Sequence, residues 1–269
     1  MNMKKTISVL IIVVFSFFFA HASIAGITIE TPSWQKVKAL GKEGLYTFLF
    51  FGDTKSEAGK SMRALLNDVE KELNIKEADS DKSKVNSKEQ HISVADVVEV
   101  NPGAPEEQAL IRLFRIQENP TILVVAPNEA ITGYFPGTAD KSALISSIRS
   151  AKEIELLKGL QEGRAAFVCF QKDKDPDSGA IKTNLEAVGS NFKGAVNIIY
   201  ASSDDKKEDK LREAFSALLG ETAVYVLLPP GAIVAKLKGQ DATKENLMKA
   251  LLAPRKGGCC PVGSQKKCN

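Results

Sequence analysis

Residues 45–51, Leu-Tyr-Thr-Phe-Leu-Phe-Phe, are apolar at all but one position, which predicts a strand buried on both faces. Upstream, Trp34, Val37 and Leu40 fall at helical spacing before Gly41 and Gly44. Downstream, a polar turn over residues 53–59 gives way to Met62, Leu65, Leu66, Val69 and Leu73 at steps of three and four, one apolar stripe on a helix. Residues 76–90 are almost entirely Lys, Asp, Ser and Glu and predict an exposed, mobile insertion. A strand follows over 94–100, and a helix over 105–114 opens with Pro-Glu-Glu, suited to a helix start because proline lacks the amide that would go unpaired and carboxylates oppose the dipole. Asn119-Pro120-Thr121 then heads a buried strand, Pro127-Asn128-Glu129 turns it, and a second strand closes the hairpin at Gly137. Residues 140–160, with Leu144, Ile145, Ile148, Ala151, Leu157 and Leu160 on one side, predict one long helix.

From Arg164 the pattern repeats: strand 165–170, helix 181–192, strand 195–201, helix 204–219, a hairpin over 222–239 turning at Pro229-Pro230-Gly231, and a helix 243–252. Residues 224–239 match 122–137 in pattern, which points to an internal duplication. The organisation read from this is a first domain over 26–150, a helical connector over 151–162, a second domain over 163–253 and a flexible Cys-containing tail over 254–269. A helical connector fixes an angle between domains better than a Gly/Ser linker does.

The start of the chain belongs to neither domain. Lys4 and Lys5 precede an apolar run, and Ala20, Ala22, Ser23 and Ala25 supply small residues for cleavage, the pattern of a secretory signal peptide over residues 1–25. The run is short of the ~20 apolar residues of a membrane span, so no stable membrane insertion is expected after cleavage, and the mature chain is placed in the periplasm or outside the cell. Losing two lysines from a formal charge of +3 brings the chain nearer neutrality. Nothing electrostatic then points to nucleic acid.

The strand, turn and helix over residues 46–60 resemble the active-site segment of the thioredoxin superfamily, and so does the hairpin, with Ile116, Pro120, Thr121 and Gly137 at that family's landmark positions. The resemblance implies an α/β fold of two tandem thioredoxin-like domains, each a central mixed sheet flanked by helices, with Pro120 a cis-proline. It also implies that the reactive Cys-x-x-Cys falls on Ser56-Glu57-Ala58-Gly59, where neither Ser56 nor Gly59 exchanges a disulfide. In the second domain Thr222-Ala223 stands where the cis-proline would be, and residues 172–179 hold no cysteine. Both usual sites are therefore degenerate. What the first retains, by resemblance, is the groove beside the cis-proline, so Ser56, Asn119, Pro120 and Thr121 are the candidate binding residues for an extended peptide or another envelope or secreted protein.

Thiol chemistry has one other home. Cys259, Cys260 and Cys268 sit among Arg255, Lys256, Lys266 and Lys267, and neighbouring positive charge favours thiolate. The tail admits three chemistries: a disulfide loop, a thiophilic metal ion such as Cu(I) or Zn(II) on the three sulfurs, or electron or metal transfer of the kind carried by the vicinal-cysteine tails of some flavin disulfide reductases and mercuric reductases, which these residues resemble. Cys169 lies in a predicted core strand and reads as a buried structural thiol. His91 falls in the polar insertion and reads as a solvated loop residue. No Walker, dinucleotide, EF-hand or His-Glu-x-x-His pattern occurs. The function expected is an exported, non-catalytic binding or scaffold module without cofactor; the alternative is a thiol–disulfide oxidoreductase-like or metal-handling protein working through its tail.

Overall fold

The computed structural model describes residues 30–80, 95–172 and 175–253. Residues 1–29, His91 and residues 254–269 with Cys259, Cys260 and Cys268 lie outside the described residues.

In the first half, α1 (Pro32–Lys42) leads to β1 (Tyr46–Phe51), α2 (Glu57–Ser80), β2 (Ala95–Val100), a 3-10 turn (Pro105–Glu107), α3 (Gln108–Leu113), the hairpin β3 (Thr121–Val125) and β4 (Ile131–Pro136), then α4 (Lys141–Ser146). Sheet order is β2-β1-β3-β4, with β1 parallel to β2 and antiparallel to β3. The continuous apolar run of β1 is explained by its place, since all its residues are buried. Phe48 and Phe50 face a core with Met62, Leu66 and Leu144, while Leu49 and Phe51 face Trp34, Val37 and Leu110 on the other side.

The second half repeats the plan with α5 (Ala151–Gln161), β5 (Ala165–Gln171), α6 (Ser178–Asn191), β6 (Val196–Ser202), a 3-10 turn (Lys206–Glu208), α7 (Asp209–Ala214), β7 (Ala223–Leu228), β8 (Ala232–Lys238), a 3-10 turn (Gly239–Asp241) and α8 (Lys244–Leu252). Its order, β6-β5-β7-β8, is the same topology. The duplication reaches well beyond the hairpin. Both hairpins carry a register shift at matching places, Val124/Val125 and Val226/Leu227. The closing bond recurs as well, from the Gly137 amide to the Pro120 carbonyl at 2.8 Å and from the Gly239 amide to the Thr222 carbonyl at 3.1 Å. In each half a buried glutamate from the 3-10 turn that follows the second strand also reaches the start of that half's first helix. Glu107 accepts from the Ser33 amide and hydroxyl at 3.0 and 2.8 Å, and Glu208 pairs with Lys152.

Three expectations need correction. The polar segment from residue 76 begins as helix, because α2 continues to Ser80; residues 81–90 lie outside the described set. The single helix over 140–160 is two. Ser150 caps α5 through a capping box with Glu153, and the hydroxyl of buried Tyr46 holds the break, donating to the Arg149 carbonyl at 2.9 Å and accepting the Arg149 amide at 3.0 Å. The helix over 204–219 is a 3-10 turn and the short α7, because Ser216 takes a positive φ of 50° that no α-helix continues. Leu218 and Leu219 are left 63% and 69% exposed.

Helix α5 serves both halves. Ile154 joins the first half's core with Leu157 against it, while Leu156 and Leu160 enter the second half's core. Among the described residues no helix is long and apolar enough to cross a membrane.

Candidate functional site

At the end of β1 the chain turns through residues 52–56 into α2. Ser56 is the cap of that helix: its Oγ accepts the Gly59 amide at 3.1 Å and its hydroxyl donates to the Asp53 carbonyl at 2.8 Å. A serine at this position stabilises a helix start by occupying an amide that has no partner within the helix. Gly59 is held more tightly still. A Cβ there would sit 2.0 Å from the Asp53 carbonyl oxygen, far inside contact distance, so the turn closes only over a residue without a side chain.

Across from this turn stands the loop before β3. The Asp53 amide donates to Asn119 Oδ1 at 3.3 Å, the Asn119–Pro120 bond is cis, and the Thr121 hydroxyl donates to the Glu118 carbonyl at 2.7 Å. Thr121 pairs with Phe51 in the sheet, which fixes the loop beside the turn. The structure thus brings Ser56, Asn119, Pro120 and Thr121 to one corner. Pro120 and Thr121 are buried and Asn119 is exposed. Among the described residues, the Asn119 side chain is tied to the turn while its backbone amide and carbonyl have no partner.

The matching corner of the second half is latched differently. The Lys172 amide donates to Thr222 Oγ1 at 3.1 Å, the Thr222 hydroxyl donates to the Asp175 carboxylate, and the Asp177 amide donates to Asp175 Oδ1 at 2.8 Å. The Thr222 hydroxyl and then the Asp177 amide hold the Asp175 carboxyl below its ordinary pKa. Thr222 and Ala223 are in place beside the loop, and the X-Pro cis bond of this half lies elsewhere, at Pro229–Pro230 in the hairpin turn. Sequence reasoning did not single out Asp175. In the sequence its loop stands out only for holding no cysteine, and the one local signal is an Asp two residues before the amide it accepts.

Cys169, on central strand β5, is fully buried, and desolvation, then the charge of Asp175, pushes its thiol up to about 12. A thiol so raised stays protonated at neutral pH and is a poor nucleophile. Among the described residues no group of three or more His, Cys, Asp or Glu side chains is placed to hold a metal ion.

No protein-family model matches the sequence, and none of the curated proteins does. Solved structures overlap it at low similarity. The zinc-bound form of human ERp44 is 13% identical with a TM-score of 0.30 over 78% of this chain, which spans 56% of the ERp44 chain. The first two thioredoxin domains of Saccharomyces cerevisiae Eps1p are 14% identical with a TM-score of 0.29 over 84% of this chain and 97% of that one. The NTD_N/C domain of the alkylhydroperoxide reductase AhpF from Enterococcus faecalis is 13% identical with a TM-score of 0.23 over 81% of this chain and 96% of that one. The strand order of both sheets, a parallel β-α-β unit followed by an antiparallel hairpin and a helix in each half, makes this chain two thioredoxin-like folds in tandem.

Proposed function

We propose that the protein is exported and acts as a non-catalytic binding module, taking an extended segment of another envelope or secreted protein at the corner formed by Ser56, Asn119, Pro120 and Thr121. One observation carries the reading: the Ser56 hydroxyl is committed to capping α2, with Gly59 packed against the Asp53 carbonyl. A nucleophile needs a base or a lowered pKa, and among the described residues the Ser56 hydroxyl bonds only the Asp53 carbonyl and the Gly59 amide. An exposed Asn119 with an open backbone amide and carbonyl is, by contrast, what an extended peptide pairs with through main-chain hydrogen bonds.

The competing site is the tail, where Cys259, Cys260 and Cys268 would exchange disulfides or hold a thiophilic metal. One experiment separates the two. The chain without its leader, with and without residues 254–269, is assayed for reduction of insulin disulfides under a glutathione couple, and bound metal is measured on the same samples. Both forms are expected to be inactive and metal-free, and a random extended-peptide library is expected to shift the backbone resonances of Asn119 in both. Turnover by the full chain that Cys259→Ser/Cys260→Ser abolishes would overturn the proposal in favour of the tail.

A further inference from the structure

Strands β4 and β8 are the outer strands of the two hairpins, and Ile131 and Ile233 hold the same position in them, opposite the register shift. Their surroundings differ. Ala130, Ile131 and Thr132 are 0%, 2% and 6% exposed, whereas Ile233 and Val234 are 50% and 38% exposed. In the first half the Ile131 side chain packs among Trp34, Val37 and Leu123, and α5 covers the outer edge of the strand. Gln161 closes on the Ile131 backbone as a neighbouring strand would, accepting its amide at 3.0 Å and donating to its carbonyl at 2.8 Å. The Asn128 carboxamide in the hairpin turn donates to the Ile154 carbonyl at 2.8 Å, and Ile154 and Leu157 pack into the first half's core. Ile154, Leu157 and Gln161 lie one to two turns apart, on one face of the helix.

Among the described residues the second half has no such cover: no side chain bonds the Ile233 backbone, and Pro230 stands in the place of Asn128. Farther along β8, Lys236 and Lys238 pair with Glu221 at 3.1 and 3.4 Å; charged lysines blunt an edge against strand addition, so only the first three residues stay open and apolar. Helix α1 is the counterpart of α5, and Gln35, Lys38 and Lys42 stand where α5 has Ile154, Leu157 and Gln161. The α1 face is polar, so a second copy stacked head to tail does not supply the missing helix.

We propose that the start of β8, Ala232-Ile233-Val234, is a docking surface for an amphipathic helix of a partner protein. The helix carries apolar residues at i and i+3 and a carboxamide at i+7 that closes on the Ile233 amide and carbonyl. The internal copy of the interface, filled by α5, fixes that chemistry, and a helix laid into an apolar surface with such spacing is a common recognition mode. The surface lies in the second half, and its test does not involve the Asn119 corner.

The probe is a fluorescent peptide of residues 150–163 in which Leu156→Gln and Leu160→Gln leave only the Ile154, Leu157 and Gln161 face apolar. Titrated into the chain without its leader, it is expected to bind saturably and to slow amide exchange over residues 232–234. Ile233→Asp and Val234→Lys, each at an exposed position and checked for native circular dichroism, are each expected to weaken binding about tenfold or more, as loss of an apolar anchor does. Absence of saturable binding, protection at β4 instead of β8, or binding by both variants as tight as by the wild type would overturn the proposal. So would equal binding by a peptide with proline in place of Lys158, or a wild-type dimer that Ile233→Asp dissociates, since the occupant would then be an extended segment or a second copy.

Discussion

Ile131 and Ile233 occupy one position in two copies of a hairpin, yet one is core and the other is half-exposed surface. The strand order, the register shift and the closing hydrogen bond are common to both. What differs is the chain that follows. After the first hairpin comes α5, which closes the edge of β4 through Gln161; after the second comes α8, which packs on the hairpin's face through Leu247 and Ala250, and among the described residues no side chain closes the edge at Ile233. The pattern of a strand therefore does not settle the closure of its outer edge, because the neighbour that closes it can belong to the next repeat. The sharpest test of this contrast is a matched pair of substitutions. Ile131→Asp buries an unpaired carboxylate and is expected to cost at least ~3 kcal/mol, a large share of the roughly 5–15 kcal/mol of an ordinary domain. Ile233→Asp is expected to stay within about 0.5 kcal/mol. Urea unfolding at neutral pH reads both, and equal losses would show that the two hairpins are equally covered.

The two corners differ in a second way. In the first, the Gly59 backbone is pressed against the Asp53 carbonyl, with 2.0 Å left for a Cβ. In the second, Ser178 opens α6 with its side chain only partly covered. Gly59→Ala is expected to destabilise by about 1 to 3 kcal/mol, the usual cost of forcing atoms into a closed space, and Ser178→Ala by no more than about 0.5 kcal/mol. The same geometry bears on function: Ser56→Cys/Gly59→Cys is expected to lose stability without gaining insulin reduction, because the second sulfur has no room unless the turn opens. A stable double variant with reductase activity would show that the corner differs from an active one only in its two side chains.

Much of this was legible in the sequence, and the reasons are local. The run of β1 is apolar throughout because the strand is central, and Asn119-Pro120-Thr121 announced the hairpin and its cis bond. The repeat was readable at the hairpins, where turn residues and strand spacing coincide. It was not readable at Glu107 and Glu208, since a buried glutamate looks like surface charge until the helix it reaches is in place. The break before α5 was hidden for a related reason. Apolar spacing runs on through residues 147–150, and the clamp on it is the Tyr46 hydroxyl, far away in the chain. Ser56 read as a vacancy in an active site, and the structure shows the hydrogen bonds that occupy it. The Asp175–Thr222 latch left almost no trace, because a carboxylate and a hydroxyl that meet only in the fold have no shared period.

That latch gives the smallest effect and the cleanest signature. In the first half the turn is tied by a neutral bond, the Asp53 amide to Asn119 Oδ1; in the second it is tied through the Asp175 carboxylate. The Asp175 carboxyl is held low in the folded chain by the Thr222 hydroxyl first and the Asp177 amide second. A lowered folded pKa contributes stability that is fully present above the unfolded value of about 3.9 and is lost as pH falls through the folded value. Thr222→Val removes the larger of the two causes and is expected to cost about 1 kcal/mol at neutral pH, with the difference from wild type shrinking below about pH 4 as the carboxylate protonates in both chains. Asn119→Ala is expected to cost a similar amount or less, with no such convergence, since no ionisation is involved in the bond it removes. Urea midpoints of the three chains between about pH 3 and 7 give the comparison, and parallel curves for both variants would mean that Asp175 is not what ties the second corner.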